Sequence, residues 1–218
     1  MLDKEQRNSM PIVVMPSFVV ESEIDGQAIL RRIERAGRTC YKSKGKITED
    51  SAEAFVRKIV RSGHHSVLEH ESVSVRIICD RGVSHELVRH RIASYSQEST
   101  RYCDYGKEGE IQVVMPPQLL HTPSQRDVWL ATMVDIENTY NYLRKTGVSP
   151  QIARSVLPNA LKTEIVVTMN LRSWRHFFEL RCSPAAHPQM REIAVPLLKE
   201  LARLIPVVFD DVVEALAS

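Results

Sequence analysis

Glycine is scarce in this chain of 218 residues. Its eight positions, 26, 37, 45, 63, 82, 106, 109 and 147, cannot be assembled into a GxGxxG dinucleotide turn or a GxxxxGK(S/T) phosphate loop. That argues against a Rossmann or P-loop enzyme. Cysteine is scarcer: Cys40, Cys79, Cys103 and Cys182 stand far apart with no CxxC pair, so neither a zinc ribbon nor a dithiol redox motif is present. Reduced thiols in a cytoplasmic protein are expected. Long apolar runs are missing too. No stretch approaches the roughly eighteen apolar residues of a membrane span, and the charged N-terminus reads as that of a soluble, untargeted protein. An excess of charge is also lacking. With 29 basic and 27 acidic residues the net charge is +2, which gives no broad positive field for nucleic acid. Any phosphate must be gripped locally by side chains, and the planar fork of arginine suits it best.

What is present is enough apolar residue, 43%, to bury a full core. Ile12 to Val20 is Val-rich but broken by Pro16, which predicts a strand or two short extended pieces. Gly26 to Gly37 is helical in pattern, and Ala52, Phe55, Val56, Ile59 and Val60 mark one face of a helix from Ser51 to Arg61 that should stop at Gly63. Val73, Val75 and Ile77 alternate with polar neighbours and predict a strand over Glu71 to Asp80, after which Gly82 opens a short helix. Arg101 to Tyr105 and Ile111 to Met115 read as extended segments paired through the Gly106 to Gly109 turn. Trp129, Met133, Ile136, Tyr140 and Leu143 line one face of a helix over Ser124 to Lys145.

Ser149-Pro150 begins a helix that runs through Val156 and ends at Pro158. Thr163 to Met169 reads as a strand, Arg172 to Leu180 as a helix, and Met190 to Ile205 as an amphipathic helix kinked at Pro196. Helices outnumber strands without a steady βαβ rhythm. The expected class is α+β: a single domain over residues 1–218, with a mainly antiparallel sheet packed against several long helices. No repeat or linker divides it.

The chemistry concentrates in Arg89 to Tyr102, RHRIASYSQESTRY. Arg89, His90 and Arg91 stand at the expected end of a helix, where consecutive side chains fan out, so at least one must point inward. Ser94, Ser96, Gln97, Glu98, Ser99, Thr100 and Arg101 follow as a dense polar run suited to a sugar, a base and a phosphate. Composition alone leaves this segment open between a ligand-binding loop and a solvated basic helix end. His85-Glu86 with His90 misses the HExxH zinc spacing by one residue. Five helical residues turn a side chain by about 500°, away from a shared face, so no metal is expected there. His64, His65 and His70 in GHHSVLEH are either a second polar wall or a satisfied turn. Ser99, Cys103 and Cys182 are conceivable nucleophiles, but no GxSxG elbow or local Cys/His signature accompanies them.

RHRIASYSQESTRY resembles the signature of the flavin-dependent thymidylate synthases: Arg-His-Arg, seven residues, then Ser, here Arg89-His90-Arg91 and Ser99, continuing into Arg101-Tyr102. GHHSVLEH resembles the family's Gly-His-x-Ser/Thr-x-x-Glu-His element. IARSVLP, TMNLRSWRHFFELR and His187-x-Gln189 resemble its later blocks, so the likeness spans roughly Ser62 to Glu192. It implies an enzyme that methylates dUMP to dTMP, with 5,10-methylenetetrahydrofolate as carbon donor and FAD reduced by NADPH as hydride source. It also implies a homotetramer of α+β subunits whose active sites are composed from several chains.

By that resemblance Ser66, Arg89, His90 and Arg91 match FAD-contacting positions, and Gln97 falls where the family often has a flavin-contacting Glu. Asn170, Leu171, Arg172 and His176 match a second flavin stretch. Glu86, Leu87, Val88 and Arg89, then Gln97, Glu98, Ser99, Thr100 and Arg101, with Arg154 and Arg181, match positions around the nucleotide. Arg181 is the implied catalytic residue, stabilising the ionised uracil imide so that no enzyme nucleophile is needed. Two positions depart from the pattern: Ser96 replaces a frequent Asn and Glu86 a frequent Gln. A glutamate beside a phosphate is repelled unless it faces a hydroxyl or an arginine.

Overall fold

The computed structural model describes residues 11–108 and 111–216. Its strands are β1 (Ile12–Val13), β2 (Ser17–Val20), β3 (Ser72–Asp80), β4 (Ser94–Gln97), β5 (Gln112–Val113) and β6 (Lys162–Asn170). Its helices are α1 (Gly26–Cys40), α2 (Ser51–Arg61), α3 (Arg81–Leu87), α4 (Tyr105–Glu108), α5 (Pro123–Lys145), α6 (Pro150–Ala153), α7 (Leu171–Arg181), α8 (Pro188–Leu204) and α9 (Asp210–Glu214). The class is α+β. Four strands form a sheet in the order β2-β3-β6-β4, and β1 pairs in parallel with β5. β3 and β6 run antiparallel: the Leu171 amide donates to Glu71 O, Ser74 Oγ meets Thr168 Oγ1, and the Arg81 amide donates to Leu161 O. The chain gathers into two compact units. The described residues within Met1–Ser17, Ile77–Val88 and Ser96–Ile165 form the first, and those within Phe18–Arg76, Arg89–Tyr95 and Val166–Ser218 the second.

In the second unit α1 starts where Asp25 Oδ1 accepts from the Ala28 amide at 2.9 Å, and it buries Ile29, Leu30 and Ile33 against α2. It runs three residues past Gly37 to Cys40. α2 keeps its predicted bounds and buries Ala52, Val56, Ile59 and Val60. Gly63, at φ +70°, ends it: the Gly63 amide bonds Val60 O and the His64 amide bonds Ile59 O, the paired bonds of a Schellman stop. That stop turns the chain into the 3-10 turn His65–His70. α7 buries Trp174, Phe177 and Phe178, and Phe209 packs edge-on to Phe178 at 5.6 Å between ring centres. Trp174 Nε1 donates to Val73 O at 3.0 Å, so the indole is buried with its one donor satisfied. α8 continues through Pro196 and buries Met190, Ile193, Ala194, Leu197, Leu198 and Leu201.

In the first unit the predicted face of α5 closes a core: Met133 and Tyr140 are buried with Tyr105, Ile111, Val113, Ala153 and Leu161, and Trp129, Ile136 and Leu143 pack against them. The predicted pairing of Arg101 to Tyr105 with Ile111 to Met115 does not form. Tyr105 opens α4 instead, and β5 pairs with β1, with Val114 N bonding Ala160 O. Tertiary contacts outweigh the local turn signal. Arg144 of α5 grips Asp104 at 2.6 and 2.8 Å, and the Tyr105 ring packs against Tyr140 at 6.1 Å. Gly109 of that predicted turn lies outside the described residues. The predicted helix from Pro150 to Val156 divides into α6 and a 3-10 turn, Arg154–Val156.

Candidate active site

The basic triplet is not on a helix end. α3 stops at Leu87, with the Val88 amide bonding Ser84 O, and Arg89, His90 and Arg91 follow outside it. Freed from helical spacing, the three alternate. Arg89 and Arg91 are exposed, while His90 is half-buried and turned toward α7. Its ring stands edge-on to Phe177 at 5.1 Å and 6.1 Å from His176, and Tyr95 Oη donates to the His90 carbonyl at 2.7 Å. Arg181 Nε donates to His90 Nε2 at 3.0 Å. A guanidinium only donates, so Nε2 carries the lone pair and the ring proton sits on Nδ1. Burial first, then the Arg181 charge and then His176, lower the His90 imidazole to about 4, so it is neutral at pH 7.

The second unit brings several other predicted residues to this neighbourhood. Asn170 Oδ1 accepts from the Ser173 amide at 2.8 Å, so its side chain caps α7, and Leu171 is buried. Arg172 and His176 lie one turn apart on the exposed face of α7. Arg172 Nη1 reaches Glu69 Oε1 at 2.6 Å, which ties α7 to the 3-10 turn carrying exposed Ser66. Of the other histidines, His65 Nε2 contacts Val60 O at 3.2 Å and His64 Nδ1 lies 3.4 Å from Tyr41 Oη. Among the described residues no cluster of three His, Cys, Asp or Glu side chains is placed to hold a metal ion.

Within the first unit the polar run folds into a braced loop. Gln97 Nε2 donates to Ser84 Oγ at 2.8 Å and to Thr163 Oγ1 at 3.1 Å. Glu98 accepts from Tyr105 Oη at 2.6 Å and Lys162 Nζ at 2.9 Å, while its amide bonds Glu164 O. Ser99 begins a turn: its Oγ accepts from the Arg101 amide and its carbonyl from the Tyr102 and Cys103 amides. Buried Thr100 meets Arg154 Nη1 at 3.4 Å, and Arg101 Nε donates to Gln151 Oε1 at 3.2 Å. Glu86 is half-buried, Leu87 buried and Val88 exposed at the end of α3. Thus Ser99, Thr100, Arg101 and Arg154 are brought together, while the Gln97 and Glu98 side chains hold the loop in place.

Burial pushes the Cys182 thiol up to about 11, with nearby Arg191 opposing, so it stays protonated at pH 7 and is a poor nucleophile. The sequence reading missed Tyr95, Phe177 and Lys162, which fix His90 and Glu98. An aromatic four residues before Arg181 on a helix was a readable signal for Phe177, but Tyr95 and Lys162 carried none. Two surface cavities of the second unit, about 690 Å³ beside β2 and α8 and about 530 Å³ along α2, include none of the predicted residues. Among the described residues no helix is long and apolar enough to cross a membrane.

A family profile for thymidylate synthase complementing protein matches residues 25–207. The flavin-dependent thymidylate synthase of Geobacter sulfurreducens is 42% identical over 183 residues, covering 81% of this chain and 78% of that protein. The enzyme of the same name from Mycobacterium marinum is 38% identical over 214 residues, covering 90% and 84%. The fold is similar to thymidylate synthase X from Helicobacter pylori, solved with FAD and dUMP, at TM-score 0.76 and 24% identity over 91% of this chain and 99% of that one. It is also similar to the UMP/dUMP methylase PolB of Streptomyces cacaoi, at TM-score 0.76 and 21% identity over 94% and 97%.

Proposed function

The chain belongs to the flavin-dependent thymidylate synthase family, and from that premise we propose that it methylates dUMP to dTMP with carbon from 5,10-methylenetetrahydrofolate, FAD as cofactor and NADPH as reductant. The second unit offers donors that suit a flavin dinucleotide: the exposed guanidiniums of Arg89, Arg91 and Arg172 for its diphosphate, with Ser66 and His176 exposed alongside. FAD held there would supply the hydride that completes a methyl group. Asn170 and Leu171 serve this site by starting α7; Gln97, in the first unit, braces the loop after β4.

The residues of the chain bind and polarise the nucleotide. Ser99, Arg101 and Arg154 hold the phosphate and sugar, on a loop fixed by Glu98 and Thr100. Glu86, Leu87 and Val88 complete the nucleotide contacts, Leu87 through its backbone because its side chain is buried. Arg181 stabilises the ionised imide of the uracil, which makes the ring carbon nucleophilic without a covalent enzyme adduct. The elevated Cys182 thiol fits that division of roles. The exposure of Ser66, Arg89, Arg91, Arg172 and His176 on a single chain supports active sites completed by other copies in a homotetramer. The whole chain acts as one catalytic domain in the cytoplasm.

The observation that carries this reading is the unbroken Arg89-His90-Arg91 to Ser99 spacing in a chain 42% identical to a relative of that name. The absorption spectrum of the purified protein tests it. An oxidised-flavin spectrum retained after gel filtration is expected; a colourless protein that takes up no FAD on reconstitution contradicts it.

A further inference from the structure

His90 and Arg181 are 91 positions apart, yet they share one hydrogen bond of defined polarity, Nε to Nε2 at 3.0 Å. The imidazole is fixed on several sides. Tyr95 holds its backbone carbonyl at 2.7 Å, and Phe177 packs T-shaped against its ring at 5.1 Å between ring centres. Phe177 and Arg181 are four residues apart on α7 and so lie on the same helix face, one turn apart, presenting a ring and a guanidinium to the same imidazole. An arginine side chain has four rotatable bonds and reaches many orientations. A charge meant to act on one edge of a planar ring loses effect when its plane wanders. An acceptor fixed by Tyr95 and Phe177 removes much of that freedom.

We propose that His90 is a positioning residue for Arg181: a neutral imidazole whose Nε2 accepts from the guanidinium Nε and sets the plane in which Arg181 meets the uracil. This rests on Arg181 being the catalytic charge. The role differs from a flavin contact alone because it requires an acceptor at the Nε2 position, and a packing role would require only a ring or a side chain of similar size. The groups facing the imidazole are Arg181 and His176 on α7, with Arg89 and Arg91 exposed on its own segment. Burial, Arg181 and His176 all disfavour the imidazolium, which would present a donor to a donor.

The experiment uses the holoenzyme with H90Q, H90N, H90L, R181K and R181A, reading tritium release from 5-tritiated dUMP at saturating FAD, together with the FAD Kd by fluorescence quenching. Glutamine places Oε1 near the Nε2 position, while asparagine is too short to reach it. The expected result is a loss of about tenfold or more in kcat for H90L and H90N, with a smaller change in the KM for dUMP. H90Q should recover most of that loss. In the R181K background, where no Nε remains, H90N should cost less than about twofold. If H90L does not fold, the H90N and H90Q pair carries the comparison. Equal rates for H90N and H90Q, a defect fully repaired by excess FAD, or the same H90N loss in the R181K background would each overturn the proposal. R181A at a near wild-type rate overturns instead the catalytic role of Arg181 on which the proposal stands.

Discussion

Arg172 on α7 and Glu69 on the 3-10 turn form an ion pair at 2.6 Å with both side chains about half exposed, 55% and 45%. Water screens such a pair, so its contribution to stability is about 0–1 kcal/mol. Its value lies in holding Arg172 over the surface that carries Ser66 and His176. E69Q should therefore leave the thermal midpoint within about 2 °C and weaken FAD binding severalfold, as read by flavin fluorescence on titration. A large fall in midpoint with unchanged FAD affinity would assign the pair to the scaffold alone.

His90 links stability to pH. Its folded value is lowered to about 4 from 6.5, so between those values the unfolded chain binds the extra proton. The stabilisation is fully present above pH 6.5 and is lost as pH falls toward 4. Wild type should lose thermal midpoint more steeply than H90Q over that window, and the two should run parallel above pH 7. Calorimetric scans across pH 4 to 8 read the difference. Parallel curves throughout would show that His90 titrates like an exposed histidine.

The Tyr105 hydroxyl bonds the Glu98 carboxylate at 2.6 Å and is raised above its ordinary value, by burial first and then by Glu98. Y105F leaves Lys162 bonded to that carboxylate and should cost about 1–2 kcal/mol in urea unfolding. The loop of Ser99 and Arg101 loosens with it, so the KM for dUMP should rise while the FAD Kd stays unchanged. Unaltered KM at reduced stability would confine Glu98 to a structural role.

R181A should abolish turnover while the protein keeps its circular dichroism and its assembly. The guanidinium is half-buried at the end of α7, beyond the core formed by Trp174, Phe177 and Phe178. Near-normal turnover in R181A would remove the charge that the mechanism depends on.

Long elements with a clean period were legible in the sequence. The faces of α2 and α5 and the alternation of β3 each follow from burial at fixed spacing. Short pieces were not. β4 and α4 are four residues each, and their shapes are set by partners remote in sequence such as Arg144 and Glu164. The triplet was misplaced on a helix because α3 ends where a Val88 cap bond forms, without Gly or Pro to announce it. At the site, residue types and the motif spacing were readable, but the partners of each side chain were not. Neither the Arg181 bond to His90 nor the bracing of Gln97 by Ser84 and Thr163 leaves a trace in local sequence.

Tritium release from 5-tritiated dUMP is the most direct measurement of the central claim. Purified protein supplied with FAD, NADPH and 5,10-methylenetetrahydrofolate should release tritium to water and form dTMP in equal amounts, with formation stopping when FAD is stripped. Protein that binds FAD and dUMP yet forms no dTMP with every component present would contradict the account.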